Sequence, residues 1–157
     1  MDPVSISSEG KGIVFVRGLL QSKGADIWSV TPETLVYDAL RLMADKNIGA
    51  VIVRDASGGM QGIFSERDYA RKIVLKGRNS RDTHISEVMT KRVFYVEPNQ
   101  KVDECMALMT AEHIRHMPVL EDGKLIGVIS IGDVVKSVIS KQEFLIEQLE
   151  HYIMGRA

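Results

Sequence analysis

Apolar residues along this chain recur first with helical spacing, then in strand-like runs, then with helical spacing again, and the whole series occurs twice. Val36, Ala39, Leu40 and Met43 fall on one helical face, as do Val102, Cys105, Met106 and Met109 further on. Behind each stripe lie two β-branched runs, Ile48–Val53 with Met60–Phe64 and Met117–Leu120 with Leu125–Ser130. Each pair is joined by a glycine-containing turn, Ser57-Gly58-Gly59 or Asp122-Gly123, so antiparallel hairpins are expected. A further helix follows each hairpin, carrying Tyr69, Ala70, Ile73 and Val74 in one case and Val134, Val135, Val138 and Ile139 in the other. Ahead of each stripe stands a short β-rich segment, Ile27-Trp28-Ser29-Val30-Thr31-Pro32 or Val93-Phe94-Tyr95-Val96-Glu97-Pro98. Thr31 is expected to cap the first helix and Pro32 to occupy its first position. The predicted order is β-α-β-β-α, twice.

The two copies superpose in sequence. Pro32 lies over Pro98 at an offset of 66, and Gly62 over Gly127 at an offset of 65, so one residue is lost between them. The loss falls in the hairpin turn, where a change of length costs least. One copy alone buries too little surface to be comfortable, which predicts an α/β (α+β) fold with pseudo-twofold packing of two small sheets. The boundaries expected are an N-terminal extension over 1–25, a first repeat over 26–80, a linker over 81–91, a second repeat over 92–140 and a C-terminal helix over 141–157. Gly77-Arg78-Asn79-Ser80 reads as a turn and Ile85–Met89 as a short helix. Val138, Phe144, Leu145, Leu149, Tyr152 and Ile153 give the last helix an amphipathic stripe that would dock on its own core or on a partner subunit.

Composition narrows the function classes. With 45% hydrophobic and 26% charged residues in 157, the chain is an ordinary globular protein. A formal charge of −1 provides no overall basic field for a nucleic acid or an anionic membrane. The basic run Arg67–Lys72 is interrupted by Asp68 and reads as a solvated face. No apolar run reaches the ~18 residues of a membrane span. Met1-Asp2-Pro3 lacks a basic targeting region, and Ile13–Leu20 is broken by Arg17. The single Cys105 excludes an internal disulfide and a four-thiolate zinc site, so a reducing, cytoplasmic location is expected.

Chemistry-bearing motifs are few. No Gly-x-Gly-x-x-Gly, Walker loop or Gly-x-Ser-x-Gly elbow is present, and no catalytic residue or metal ligand is predicted. The i, i+3 spacing of His113 and His116 leaves a small metal-dependent enzyme as one alternative, if the preceding helix extends that far. Ser-x-x-Asp occurs at equivalent places, Ser65 to Asp68 and Ser130 to Asp133. It is a helix-capping box, and the same helix start is also a place for anions.

Taken with Asn47-Ile48-Gly49-Ala50-Val51-Ile52-Val53, Ile114-Arg115-His116-Met117-Pro118-Val119 and the closing Gly-h-h-Ser-x-x-Asp in both copies, the chain resembles the cystathionine-β-synthase (CBS) domain family. It looks like a stand-alone pair of CBS domains, a Bateman module, and the likeness covers residues 27–140. The resemblance implies a non-enzymatic regulatory, signal-transducing module. Such a module binds adenosine-containing ligands (AMP, ADP, ATP, NAD or S-adenosylmethionine) in clefts between the repeats, forms a homodimer and acts on a separate regulated protein. It gives Asp68 and Asp133 the ribose. Ser65, Ser130, Arg67, Arg115 and His116 are the phosphate candidates, with Lys23 and Arg71 behind them. Ile27, Val30, Thr31, Ala50, Val51 and Ile63 would line the first adenine pocket, and Phe94, Val96, Met117, Pro118 and Ile129 the second. Glu97 stands where the first repeat has Thr31, adding a negative charge, so the two sites should differ in affinity or ligand. A ligand-free interaction or dimerisation module is the other alternative.

Overall fold

The structure, a computed structural model, describes residues 14–153. What was read from residues 1–13 and 154–157 lies outside the described residues. In chain order the elements are α1 (Val16–Lys23), β1 (Ser29–Val30), α2 (Val36–Lys46), β2 (Ala50–Arg54), β3 (Met60–Ser65), α3 (Glu66–Asp68) running into a π-helical turn (Tyr69–Val74), α4 (Ile85–Val88), α5 (Val102–Glu112), β4 (His116–Glu121), β5 (Lys124–Ser130) and α6 (Ile131–Ile153). They form two compact units. One spans Asp26–Phe94, and the other joins residues up to Ala25 with those from Tyr95 onward.

In the Asp26–Phe94 unit, β1 runs parallel to β2 and β2 antiparallel to β3, with Ala50 opposite Ser65 and Val53 opposite Gly62. The predicted stripe Val36, Ala39 and Met43 is buried on this sheet against Val51, Val53 and Phe64, and Leu40 is partly buried beside it. Helix α2 stops because Asn47 turns left-handed (φ 53°), which lets the Ile48 N–H reach back to the Met43 carbonyl at 3.0 Å. In the other unit α5 stops in the same way. His113 has φ 56°, and Ile114 N–H donates to Met109 O at 3.0 Å. Its hairpin β4–β5 turns through Asp122 (φ 52°) and Gly123 (φ 77°), the two successive positive φ angles that a tight hairpin needs.

Three local expectations are corrected. Helix α2 begins at Val36, not Pro32, because Thr31 to Thr34 close a turn of their own, Thr31 N–H donating to Thr34 Oγ1 at 3.1 Å. The first helical N–H groups are taken instead by backbone carbonyls, Val36 by Thr83 (2.9 Å) and Tyr37 by Ser80 (3.0 Å). The second β-rich segment, Val93–Val96, shrinks to a single bridge from Val96 to Val119. Pro118 is the cause: the equivalent Ile52 donates its N–H to Trp28 O at 3.3 Å, and proline has no N–H to give. The helix after β3 is not a regular α-helix. Its π-helical turn buries Ile73 but leaves Val74 exposed.

One relation lay beyond local pattern. The short helix that precedes the second repeat, α4, closes the unit of the first, and α1, which precedes the first repeat, closes the unit of the second. In one unit Ile85 N–H donates to Thr34 O (2.8 Å) and Ser86 N–H to Pro32 O (2.9 Å). In the other, Val16 N–H donates to Gln100 O (2.9 Å), Arg17 N–H to Pro98 O (2.9 Å), and Val102 N–H to Val14 O (2.9 Å). Val16, Leu19 and Leu20 on one side and Ile85 and Val88 on the other are buried by these contacts.

Equivalent glycines permit the two closures. A Cβ at Gly62 would stand 2.7 Å from the Thr90 carbonyl and 3.0 Å from Met89 Sδ, whereas at Gly127 it would meet the tip of Leu20 at 2.7 Å. A carbonyl bonded on both sides cannot retreat, since Ile63 and Thr90 exchange hydrogen bonds of 2.9 and 2.8 Å there. A leucine tip can rotate. Gly62→Ala should therefore cost about 1–3 kcal/mol and Gly127→Ala less, to be checked by urea denaturation of both variants.

Candidate functional site

Both Ser-x-x-Asp motifs form the cap that their spacing predicts, at the junction of a hairpin strand and the following helix. Ser65 N–H donates to Asp68 Oδ2 (3.0 Å) and Asp68 N–H to Ser65 Oγ (3.2 Å). Ser130 N–H donates to Asp133 Oδ2 (2.8 Å) and Asp133 N–H to Ser130 Oγ (3.2 Å). Each helix start is tied to the loop ahead of the paired strand, Glu66 N–H to Gly49 O (3.0 Å) and Ile131 N–H to Arg115 O (2.8 Å). Local sequence is sufficient to build both caps.

The carboxylates differ in what else they hold. Asp68 is only 8% exposed. Its Oδ1 accepts from Thr90 Oγ1 (3.0 Å) and pairs with Lys72 Nζ (3.0 Å), and that ammonium also donates to Val88 O (2.9 Å). Asp68 is thereby bound into the segment following α4. Asp133 instead meets Lys23, the last residue of α1, at 2.7 Å, and Lys23 also donates to Val128 O at 2.7 Å. Burial works to raise the Asp133 pKa, but the hydrogen bonds from Lys23 and the Ser130 backbone outweigh it. The carboxyl is held below the usual carboxylate range.

Lys23 and Asp133 stand on the wall of an open groove of about 810 Å³ between α1 and α6, together with Gly18, Lys136, Ser137 and Phe144. That size accommodates a nucleotide-scale ligand. Its polar wall holds a carboxylate able to accept from a diol and ammonium groups able to meet an anion.

The remaining candidates divide by position. His116 opens β4 directly opposite Ser130 and follows Arg115, so both lie beside the second cap. Arg67 sits inside the first cap on α3, and Arg71 is exposed on the π-helical turn. Ala50 stands opposite Ser65, and Ile63 is half-buried next to Thr90. Ile27 and Val30 are half-buried in the Asp26–Phe94 unit, Thr31 is exposed in its turn, and Phe94 is half-buried with the Arg92 guanidinium 5.8 Å from its ring centre. Val51, Val96, Met117, Pro118 and Ile129 are buried, so their side chains belong to the core.

Lys72 and Thr90 were missed as partners of Asp68. The i, i+4 spacing of Asp68 and Lys72 was a usable signal, whereas nothing local marks Thr90. The metal alternative loses its geometry. Helix α5 ends at Glu112, and His113 is its left-handed cap, so His113 and His116 share no helical face. Among the described residues no group of three or more His, Cys, Asp or Glu side chains is placed to hold a metal ion. Cys105 is buried with its pKa pushed up to about 11 by desolvation, which keeps the thiol protonated and unreactive. Among the described residues no helix is long and apolar enough to cross a membrane.

Known proteins share this arrangement. The sequence profile of the CBS domain matches residues 16–75 and again 85–140. The mitochondrial CBS domain-containing protein CBSX3 of Arabidopsis thaliana is 38% identical over 98% of this chain and 78% of its own length. Other Arabidopsis relatives are longer; in one, 30% identical, this chain spans 26% of the length. Among solved structures, a CBS-domain protein of Burkholderia ambifaria MC40-6, provisionally placed in signal transduction, is 55% identical and superposes with a TM-score of 0.79 over 82% of this chain and 96% of its own. A CBS-domain protein of Agrobacterium tumefaciens is 41% identical, with a TM-score of 0.78 over 82% of this chain and 96% of its own. With two family matches that together take in most of its length, and with its hairpins, helices and Ser-x-x-Asp caps duplicated in order, this chain belongs to the CBS domain family and carries a pair of CBS domains.

Proposed function

We propose that this CBS pair is a non-enzymatic sensor of adenosine-containing ligands (AMP, ADP, ATP, NAD or S-adenosylmethionine) and passes their occupancy to a separate protein. The observation that carries the reading is the wall of the α1–α6 groove, where Asp133 and Lys23 stand together. A ribose diol would donate to the Asp133 carboxylate. Lys23 would then be shared with, or ceded to, the phosphate. Arg115 beside Ser130 is a further cation for it, and His116 there is a further hydrogen-bonding side chain.

Such a ligand changes the chain only through different affinity for two states, and here the difference has a location. Lys23 ends α1, so drawing it from Asp133 alters how α1 is held on its own unit. At the first cap the Asp68 carboxylate is already occupied by Thr90 and Lys72, so that site should bind more weakly. The protonated, buried Cys105 suits a reducing compartment, and we place the protein in the cytoplasm.

Calorimetry and thermal shift with AMP, ADP, ATP, NAD, S-adenosylmethionine and GTP test the reading. At ~100 times its dissociation constant a ligand should add about 2.7 kcal/mol of stability. An adenine ligand should shift the melting temperature and GTP should not. Asp133→Asn should weaken binding about tenfold or more, the loss of one charge-assisted hydrogen bond. No shift with any adenine ligand would overturn the proposal and leave an interaction module in its place.

A further inference from the structure

The groove between α1 and α6 extends well past the pair of Asp133 and Lys23, and contacts at both ends fix its direction. Lys23, the last residue of α1, meets Asp133 near the start of α6. At the other end Phe15, just ahead of α1, bridges to Lys101, and Lys141, further along α6, pairs with Asp103 at 3.6 Å. The two helices therefore run antiparallel along the groove. Phe15, Phe144 and Glu147 line it together with Asp133, and the rise along α6 from Asp133 to Phe144 is about 16 Å at 1.5 Å per residue. A mononucleotide held at Asp133 by its ribose is too short to reach that ring.

Gly18 widens this far half. It stands in the middle of α1, exposed on the groove wall, and no atom lies within 4 Å of where its Cβ would be. Glycine weakens a helix interior, and here, unlike at Gly62, packing within the chain does not require it. A larger side chain at this place would stand in the groove. The charges also change along it. Lys136 is exposed at the near end, beside Asp133 and Lys23, where a phosphate would be met. Beyond it Lys141 is paired with Asp103 and Arg17 with Glu121, while Glu143 and Glu147 are exposed one turn apart. A terminal phosphate that ran on toward these carboxylates would be repelled. A neutral or cationic ring would instead stack on Phe144, and sugar hydroxyls would donate to the carboxylates.

We propose that this far half is a second subsite, for the ring and second sugar of a dinucleotide whose pyrophosphate meets Lys23 and Lys136. The inference rests on the adenosine reading of Asp133 and chooses among its ligands. Calorimetry on the full chain with AMP, ADP-ribose and NAD tests it. NAD should bind about tenfold or more tighter than ADP-ribose, since stacking one further ring on an aromatic side chain is worth that much. Gly18→Leu replaces a helix-weakening residue at an open position, so the circular dichroism and melting should stay intact. It should weaken NAD at least about tenfold and leave AMP within about twofold, the loss of one stacked ring and nothing at the near end. Phe144→Ala should separate the two ligands in the same direction. NAD no tighter than ADP-ribose overturns the proposal, and so does a Gly18→Leu variant that leaves NAD unchanged or weakens AMP equally; in either case AMP binding keeps the adenosine reading standing. Absence of binding by all three overturns both.

Discussion

Replacing Leu20 by alanine should cost about 2–5 kcal/mol, the usual range for emptying a buried leucine site, and the damage should appear in the second repeat. Leu20 is buried, and its tip lies over Gly127 of β5 in the unit that holds residues from Tyr95 onward. Hydrogen exchange read by mass spectrometry should show faster exchange across β4 and β5. The hairpin β2–β3, far nearer in sequence, should keep its protection. Exchange rising first in β2–β3 would show that α1 serves the repeat it precedes. Leu19→Ala should behave in the same way, and the double variant need not be additive, since the two residues share neighbours.

The second large effect is expected at Asp68. Removing its carboxylate strips acceptors from the Ser65 N–H, the Thr90 hydroxyl and the Lys72 ammonium at once. Lys72 is partly exposed and can turn to water, which discounts its share. The remaining hydrogen bonds to a buried charged group put Asp68→Ala at about 2–3 kcal/mol, measured as a shift of the denaturation midpoint. Asp68→Asn keeps one oxygen for the Ser65 cap and should recover part of the loss. A loss below about 0.5 kcal/mol would mean that the carboxylate does no structural work, and would strengthen its claim as a ligand group. The Asp133 carboxylate is more open to solvent than that of Asp68, so Asp133→Ala should cost less stability than Asp68→Ala.

What the sequence made legible follows from what acts locally. The stripes of α2 and α5, both hairpins and both Ser-x-x-Asp caps are set by spacing within a few residues, and the duplication of the pattern supports each reading with its twin. The misread start of α2 shows the limit. Thr31 and Pro32 are a good local helix start, but the donors of the first turn are met by Thr83 and Ser80, some fifty residues on. Pro118 was visible, yet its effect, the loss of a strand at Val93–Val96, depends on which carbonyl its missing N–H would have faced. The same holds at the candidate site. Asp68 and Asp133 occupy equal places in the repeat, and besides the neighbouring Lys72 it is distant partners, Thr90 for one and Lys23 for the other, that distinguish them.

The exchange of α1 and α4 also fixes an order of events during synthesis. Residues 26–94 hold every element of their unit, so those elements can come together as soon as α4 has left the ribosome. Helix α1 is made earlier and must wait, its apolar face open, until β5 and α6 have been translated. The ring of chain that α1 then closes encloses the whole of the finished unit, but the entropic penalty of ring closure rises only as the logarithm of length. Waiting, more than closing, is the hazard, because Val16, Leu19 and Leu20 stay uncovered until those later elements emerge.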